Sequence, residues 1–392
     1  MDKKEILKDI SFITTVFNEE KSIILFLNSL IAQTVMPAEI IIVDGGSNDE
    51  TLKVILEYFM QISKNKPLKM ALSSDNEISF KKADTLNGLK ELYKPCILEE
   101  LVFNSFLDCG TEIKVFYADK AKISQGRNIA IRNSRGQIIC VSDGGCILKS
   151  DWLYEITKCY FQNFNQNIDK GEIGAAGGYN YPYIKNLIQA VLAMCILPKK
   201  SEINQRKFMP SSRNISFKRQ VWEYAGGYPE YLDYGEDMKF NFNIKMRGYI
   251  IKFVPDALVY WNLRDSLKSI FKQFFRYAKG DALGRMYSYR HLVRFFSFFI
   301  FLIILVISTV VNPLYLLILV PLLAAYCCKP YSRVSYVLES QDGEFIKNNK
   351  SLKVFKILSI FFIPLLLIYI DVAKLSGYIY GLVIRRKAFP FS

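Results

Sequence analysis

Carboxylate side chains stand at or just beyond the ends of three short apolar runs in this chain: Glu19, Asp44 and Asp143. Asp44 and Asp143 each precede a pair of glycines, and glycine lets a bulky ligand approach the backbone closely. An ordinary Asp-Gly turn would explain one such position, but it is a weaker explanation for two. The pattern indicates a ligand site built from carboxylates and open backbone.

Two further groups add other kinds of chemistry. Arg127 lies in the opening turn of a predicted helix, Ser124–Ile131, where free N–H groups and the helix dipole favour an anion. An ordinary surface arginine is an equal alternative. Glu236 and Asp237 fall in the first turn of another predicted helix, where acidic residues cap the helix or act as a general base at a cleft.

The segment 12–51 predicts how such residues meet. One apolar run ends at Val16, and apolar residues then recur at steps of three and four from Ile23 to Leu30, which predicts a helix that we expect Pro37 to end. The next run, Ile40–Val43, is continuously apolar, which is typical of a strand buried on both faces of a parallel sheet. The unit is therefore βαβ in an α/β fold. Ligands of such folds bind outside the carboxyl ends of the strands, so we expect 17–20 and 44–49 to face one crevice.

The rest of the first 265 residues continues this alternation. Residues 63–111 interrupt it, and we interpret them as a family-specific insertion with a helix at 86–93. Further helices are predicted at 52–62, 186–196, 220–225 and 239–246, and strands at 113–117, 138–142, 174–180, 211–217, 249–254 and 257–261.

Composition narrows the classes of function. The chain has 392 residues, enough for one large domain with an appendage or for two domains. Its net charge of +14 suits nucleic acid, an anionic membrane surface or phosphorylated substrates. One histidine, His291, and eight cysteines without a CxxC pair argue against a Cys/His zinc site.

The segment 266–294 combines basic and aromatic residues in a helical pattern at Leu267–Arg290. Such a helix just before an apolar segment is typical of the lipid headgroup layer. Nucleic-acid binding is the rival interpretation, but no recognition motif accompanies the positive charge. We therefore expect membrane lipids as a partner and no nucleic acid.

The C-terminal region, 295–392, contains two long apolar runs, 295–328 and 357–384. One membrane span needs about 20 residues, and Asn312-Pro313 interrupts the first run near its middle. If that run forms a hairpin, all the basic flanking segments lie on one side, as the preference of basic residues for the cytoplasm requires. We predict a multi-pass protein of the cell (inner) membrane whose domain 1–265 is cytoplasmic.

Four stretches of the chain resemble family 2 glycosyltransferases, enzymes of the GT-A fold, a Rossmann-like domain with a mostly parallel sheet. They are Thr15–Glu19, Ile42–Thr51, Gly126–Cys146 and Gly235–Asp237, and Gln273–Tyr277 is more loosely similar to the family's QxxRW motif, with Tyr277 replacing Trp. The resemblance covers residues 10–280. The order and spacing of the motifs make it specific, although each motif is weak alone.

The resemblance implies a role for each matched residue. Asp237, with Glu236 beside it, would be the general base that deprotonates an acceptor hydroxyl. Arg213, Gln273 and Arg276 would line the acceptor or diphosphate side. The residues that would hold the nucleotide sugar are Phe17, Glu19, Asp44, Arg127 and Asp143.

The resemblance also implies a divalent metal, Mg²⁺ or Mn²⁺, bound by Asp143 on the donor diphosphate. The family's DxD motif has a second aspartate where this chain has Gly145. The metal would then be held mainly by Asp143, the diphosphate and water, as Mg²⁺ often is, or its affinity would be weak.

The sequence therefore predicts an inverting glycosyltransferase that moves a sugar from a nucleotide sugar to a lipid-linked or glycan acceptor at the cytoplasmic face of a membrane. One alternative is transfer to polyprenyl phosphate, whose anionic acceptor needs little base catalysis. A second is a non-catalytic membrane scaffold that retains the fold, an interpretation suggested by Gly145.

Overall fold

The computed structural model describes residues 4–63, 68–74, 77–83, 101–161, 171–339 and 349–388. The chain divides into two compact units: Met1–Asn180 with Asn204–Trp261, and Tyr181–Ile203 with Asn262–Ser392. We had placed the domain boundary at residue 265. The segment 181–203, which we had assigned to the first domain, groups with the second unit instead.

The first unit carries an α/β sheet with helices on both faces. In chain order its elements are β1 (Glu5–Val16), α1 (Ile23–Ile31), β2 (Val35–Asp44), α2 (Thr51–Ile62), β3 (Leu68–Ser74), β4 (Glu77–Ala83), β5 (Leu101–Phe106), β6 (Glu112–Tyr117), α3 (Ile123–Arg132), β7 (Ile138–Val141), β8 (Cys146–Leu148), α4 (Trp152–Phe161) and β9 (Ile173–Tyr183).

After β9 the chain enters the second unit for one helix, α5 (Leu187–Ile196), and a 3₁₀ turn, Lys200–Glu202. It returns to the first unit through a second 3₁₀ turn, Gln205–Lys207. The remaining elements of the first unit are β10 (Ile215–Lys218), α6 (Arg219–Tyr224), α7 (Glu236–Met246) and β11 (Ile250–Asn262).

The strands form one sheet in the order β4-β3-β5-β6-β2-β1-β7-β10-β9-β11-β8. The central strands β6, β2, β1 and β7 are parallel, with Val16 opposite Asp44 and Ile13 opposite Val141. Strand β10 pairs antiparallel with β7 and β9. Because β2, β1 and β7 end at the same edge, the residues that follow them are brought together there.

The continuously apolar strands are buried on both faces, as their composition predicts. On one face Phe12 and Ile42 belong to a core that includes Trp152, whose ring meets Phe12 edge to face at 5.9 Å. On the other face Ile13 and Ile41 belong to a second core. The alternation follows from the two-residue period of a strand.

Two predicted boundaries were wrong, and proline misled both. Helix α1 ends at Ile31, well before Pro37, which lies within β2. The two strands predicted on either side of Pro255 are one strand, β11. Strand β8 pairs only with Val259–Trp261, so Pro255 lies outside that ladder, where a missing N–H is tolerated.

The presumed insertion, 63–111, extends the sheet. Strand β3 pairs antiparallel with β4 on one side and with β5 on the other, and β5 pairs antiparallel with β6 from Leu101 opposite Tyr117 to Phe106 opposite Glu112. The helix predicted at 86–93 lies outside the described residues.

The second unit is helical in its described residues. After α5 its helices are α8 (Leu267–Leu283), α9 (Ser288–Val310), a 3₁₀ segment (Pro313–Ile318), α10 (Leu319–Ser332), α11 (Val334–Glu339) and α12 (Asn349–Ala388). The amphipathic helix that we expected to reach Arg290 ends at Leu283. Positive φ angles at Arg285 and Tyr287 mark the break before α9.

Three stretches of this unit are long and apolar enough to cross a membrane: Ser288–Val310, Pro313–Leu338 and Lys356–Arg386. The first two are separated at Asn312-Pro313, where Asn312 Oδ1 accepts a hydrogen bond from Leu314 N at 2.8 Å. Arg294 of α9 and Tyr326 of α10 both contact Asp371 of α12, so the chain turns back between them.

Helices α8 and α12 pack closely. A Cβ atom at Gly377 would lie 2.1 Å from the carbonyl oxygen of Phe275, and one at Gly381 would lie 2.8 Å from that of Lys279. Small residues that allow helix backbones to approach are typical of packing between membrane helices. These two glycines therefore position α12 against the amphipathic helix.

Candidate active site

The two loops predicted to share a crevice are hydrogen-bonded to each other. Asn18 N donates to Ser47 Oγ at 2.9 Å, and Asn48 N donates to Asn18 Oδ1 at 2.9 Å. Glu19 N donates to Thr51 Oγ1 at 2.7 Å. Phe17, at the start of the first loop, is 55% exposed. The residues after β1 and β2 thus form one continuous rim.

Asp44 lies beneath this rim and is fully buried. Its Oδ1 accepts hydrogen bonds from Gly46 N at 2.9 Å and Ser47 N at 2.8 Å. Its Oδ2 is buried and has no hydrogen-bond partner within the described part of the chain. Burial raises the pKa of Asp44, although the hydrogen bond from the backbone N–H of Ser47 acts to lower it. A ligand N–H or O–H would satisfy the open oxygen.

Arg127 joins two carboxylates from distant parts of the sequence. Its Nη1 donates to Glu236 Oε1 at 2.7 Å, and its Nη2 donates to Asp143 Oδ1 at 2.9 Å. The guanidinium lies 5.2 Å from the centre of the Tyr228 ring, and the residue is 2% exposed. Asp143, in the turn after β7, is therefore tied to the start of α7.

Close packing of α3 on the sheet brings Arg127 to this point. A Cβ atom at Gly126 would lie 2.8 Å from Thr15 Cγ2, so a larger residue would push the helix away from β1. Asn128, to which we had assigned no role, holds the loop that leads to α7. Its Oδ1 accepts from Tyr228 N at 3.0 Å, and its Nδ2 donates to Tyr228 O at 2.9 Å.

Glu236 and Asp237 are the first two residues of α7, after Gly235 at φ 76°. The Glu236 side chain binds Arg127, so helix capping does not account for it. Burial, together with the neighbouring Asp237 carboxylate, raises the pKa of Glu236 to about 7, although Arg127 opposes the shift. Burial also raises the pKa of Asp237, although the positive charge of Arg127 acts to lower it. Asp237 is the less buried of the two.

Arg213 lies on the other side of Asp143. Its Nε is 3.7 Å from Asp143 Oδ2, and its guanidinium stacks on Trp261 at 3.7 Å from the ring centre. We had predicted Trp261 at the end of a strand and without a function. The next residue, Asn214, accepts a hydrogen bond from Trp152 Nε1 at 2.8 Å, which fixes the start of β10.

The first unit thus brings together most of the predicted site residues, and Arg127 links two of them. Its exposed surface is negligible and both terminal nitrogens bind carboxylates, so it ties Asp143 to Glu236, and its expected contact with the nucleotide stays a prediction. Gln273 and Arg276 lie on α8 in the second unit, where Gln273 Nε2 donates to Tyr277 Oη at 2.9 Å. Their expected contact with acceptor or diphosphate stays a prediction.

A divalent metal would find only part of its ligands in this site. Among the described residues, no group of three or more His, Cys, Asp or Glu side chains is arranged to hold a metal. Asp143 fits as one ligand, because its side chain is 32% exposed and Arg213 lies beyond hydrogen-bond distance of Oδ2. Hard oxygen ligands of this kind suit Mg²⁺ or Mn²⁺, which commonly bind through one or two carboxylates plus phosphate and water.

Comparison with known families agrees with this architecture. The family model "Glycosyl transferase family 2" matches residues 11–77, and "Glycosyl transferase family group 2" matches residues 156–328. The two matches include the crevice loops and the Glu236-Asp237 helix. Over these two ranges the chain is similar to family 2 glycosyltransferases, which indicates that it is a glycosyltransferase enzyme.

Similar proteins carry related names. Glycosyltransferase AglE of Haloferax volcanii is 22% identical over 356 residues, which cover 85% of this chain and 97% of that protein. Among solved structures, the mannosyltransferase PcManGT from Pyrobaculum calidifontis, in complex with GDP-Man and Mn²⁺, is 14% identical with a TM-score of 0.45, covering 98% of this chain and 88% of the other. S. aureus TarS 1–349 with UDP-GlcNAc is 13% identical with a TM-score of 0.40, covering 97% and 92%.

Proposed function

We propose that this protein is an inverting glycosyltransferase that transfers a sugar from a nucleotide sugar to a hydroxyl of a lipid-linked or glycan acceptor at a membrane surface. The observation that carries the proposal is the Arg127 bridge. This bridge holds Asp143, in the turn after β7 where a donor diphosphate would bind, beside the carboxylates that begin α7. The matches to glycosyltransferase models favour an enzyme over a non-catalytic scaffold.

Asp237 is the proposed general base. A sugar hydroxyl is a poor nucleophile, so a carboxylate within hydrogen-bond reach aids its attack by accepting the proton. Burial favours the protonated form of Asp237 after that transfer and makes it a stronger base than an exposed aspartate. Glu236 is the poorer candidate, because its carboxylate is already bound to Arg127.

The donor side supplies the leaving group. The acceptor oxygen bonds to the anomeric carbon as the bond from that carbon to the diphosphate oxygen breaks, and the nucleoside diphosphate leaves with the electron pair. One displacement inverts the anomeric centre. A divalent cation bound through Asp143 would neutralise charge on the departing diphosphate. Arg213, stacked on Trp261, offers further positive charge beside Asp143. The open oxygen of Asp44 would accept a hydrogen bond from the nucleotide.

The second unit would hold the enzyme at its acceptor. Its three apolar helical stretches suit a multi-pass protein of the cell (inner) membrane, and the basic segments that flank them favour the cytoplasmic side for the catalytic unit. The basic helix α8 would lie in the headgroup layer. A lipid-linked acceptor confined to the same membrane has a high effective concentration.

The test is release of nucleoside diphosphate by the full-length protein in detergent or vesicles. UDP-, GDP- and dTDP-sugars are supplied in turn, with Mg²⁺, Mn²⁺ or EDTA, and with a lipid extract as acceptor. We expect lipid-dependent release with one donor, and Asp237→Asn should reduce turnover about 10²- to 10⁴-fold. Asp233→Asn, in the exposed loop before α7, is the matched control and should retain activity.

The other outcomes separate the alternatives. Release that survives Asp237→Asn and requires polyprenyl phosphate would favour an anionic acceptor over a hydroxyl. An axial or equatorial product linkage determined by NMR, compared with that of the donor, distinguishes inversion from retention. If no donor is hydrolysed or bound under any condition, the proposed activity is wrong.

A further inference from the structure

The tight turn after β7 places its two glycines in different surroundings. Cys146 N donates to Asp143 O at 3.1 Å, which closes the turn Asp143–Cys146. A Cβ atom at Gly144 would lie 2.9 Å from Val16 Cγ1, so this glycine is required for packing. Position 145 has no such restriction: its φ is not positive, and a Cβ there would make only ordinary contacts.

Those contacts are all with one side chain. The nearest atoms to a Cβ at position 145 are Glu19 Oε2 at 3.5 Å and Glu19 Oε1 at 3.6 Å. In an aspartate, a carboxylate oxygen is separated from Cβ by one carbon–carbon bond and one carbon–oxygen bond. The Glu19 carboxylate therefore lies just beyond the place that the carboxylate of an aspartate at 145 would reach.

Glu19 is held in this position from two sides. Its backbone N–H is fixed to Thr51 Oγ1, and Ser22 Oγ donates to its Oε2. The backbone turn at Asn18, with φ 54°, directs the chain over the strand end. The carboxylate is thus presented at the Asp143 turn by a loop that the sequence places 124 positions earlier, roughly a third of the chain.

We propose that Glu19 replaces the aspartate missing at position 145 and, with Asp143, supplies the second protein carboxylate to the divalent metal of the donor complex. This inference deepens the proposed glycosyltransferase function and rests on it. It changes the role implied for Glu19 by the family resemblance, from a contact with the nucleotide to a metal ligand.

Charge balance supports a shared site. Asp143 is already paired with Arg127 and faces Arg213, so its carboxylate alone offers a cation little net negative charge. A second carboxylate at the same turn restores the attraction. Two carboxylates together with diphosphate and water oxygens make up the hard oxygen set that Mg²⁺ and Mn²⁺ prefer.

The decisive experiment measures metal binding apart from activity. Full-length wild type, Glu19→Gln, the double variant Glu19→Gln/Gly145→Asp and the control Asp233→Asn are titrated with Mn²⁺, and free Mn²⁺ is followed by electron paramagnetic resonance. Titrations are run with Mn²⁺ alone, with UDP and with GDP. Affinity for each nucleotide in EDTA is measured separately by calorimetry.

We expect Glu19→Gln to weaken Mn²⁺ binding by about 10- to 100-fold, the range found when groups that support a metal site are removed. Gly145→Asp should restore most of the loss in the double variant, because its carboxylate enters the space beside position 19. Asp233→Asn should bind Mn²⁺ like wild type, and nucleotide affinity in EDTA should be unchanged in all four proteins.

Three results would overturn the proposal: unchanged Mn²⁺ binding in Glu19→Gln, an equal loss of nucleotide affinity in EDTA, or no rescue by Gly145→Asp. The second result would assign Glu19 to the nucleotide instead. Failure of the wild type to bind either nucleotide, while Mn²⁺ alone distinguishes the variants, would count against the proposed function and leave the carboxylate pair standing.

Discussion

Each unit of the molecule contains a cluster of charged side chains, and the two clusters are built in opposite ways. In the first unit one arginine, Arg127, serves two carboxylates, Asp143 and Glu236. In the second unit one carboxylate, Asp371, accepts hydrogen bonds from Arg294 at 2.7 Å and Tyr326 at 2.7 Å. Carboxylates exceed donors in the first cluster, and donors exceed carboxylates in the second.

This difference separates a site suited to chemistry from one suited to structure. The surplus carboxylate of the first cluster, Asp237, is left with a raised pKa and partial exposure, so it can take up a proton. The second cluster joins α9, α10 and α12 through a single acceptor. Nearby, His291 Nε2 and Asp281 Oδ2 are 2.9 Å apart, which links α9 to α8 in the same manner.

Removal of Arg127 should have the largest effect. Arg127→Ala leaves the buried Glu236 carboxylate without its cation, and breaking a buried ion pair costs about 3–5 kcal/mol. We expect the free energy of unfolding of the first unit to fall by that amount and transferase activity to be lost. Denaturant unfolding followed by tryptophan fluorescence, with Trp152 in the core of this unit, measures the change.

Arg132→Ala is the matched control. Arg132 lies on the same helix but is exposed, and its Nη1 comes no closer than 3.9 Å to Glu230 Oε1. Its stability should stay within about 0.5 kcal/mol of wild type. If the two variants lost equal stability, the bridge would not be what distinguishes the first cluster.

The carboxylate surplus should also appear in the pH dependence. The proposed base, Asp237, can accept a proton only when it is ionised, and its pKa is raised, so kcat/KM should fall on the acid side at a pH above the ordinary aspartate value of 3.8. The free energy of unfolding should change in the opposite direction to the activity as the pH rises. Because the pKa of Glu236 is raised, the folded state holds this proton more tightly than the unfolded state does. The stability that Glu236 contributes is therefore present below about pH 4.5 and is lost as the pH rises through about 7.

Glu236→Gln is the variant that tests the stability argument. The free energy of unfolding of this variant should change less between pH 4.5 and 7 than that of wild type, because the amide does not titrate. An identical slope in both proteins would show that other groups account for the pH dependence.

The two clusters also differ in how far sequence could reveal them. Asp143, Glu236 and Asp237 stand out because each occupies a strand end or a helix start. The bridge between them was not predictable, since Arg127 is separated from Glu236 by 109 positions and no local pattern pairs them. The proximity of Glu19 to Gly145 was hidden for the same reason. Pro37 and Pro255 misled the element boundaries because their tolerance in strands depends on which neighbouring strand is paired.

In the second unit, apolar periodicity predicted the runs and the break at Asn312-Pro313, but it could not assign partners to Asp371.

Asp371→Asn tests the partners that the structure assigns to Asp371. It removes the charge that Arg294 faces, and because both side chains retain some exposure we expect a loss of only about 1–3 kcal/mol. The melting temperature in detergent should fall, while nucleotide affinity of the first unit should not change. Ser376→Ala, an exposed residue of the same helix, is the control.

Tyr326→Phe should cause the smallest loss of stability among these variants. It removes one hydrogen bond to Asp371 Oδ2 but leaves the Arg294 contact intact. Hydrogen bonds between membrane helices contribute about 0.6 kcal/mol on average and at most about 1.7. The loss in Tyr326→Phe should therefore be smaller than in Asp371→Asn, and it should nearly vanish when Asp371→Ala is already present, because alanine leaves no side-chain acceptor at position 371. Additive losses in the double variant, measured by thermal unfolding in the same detergent, would mean that Tyr326 and Asp371 act independently and that α10 is held to α12 by packing alone.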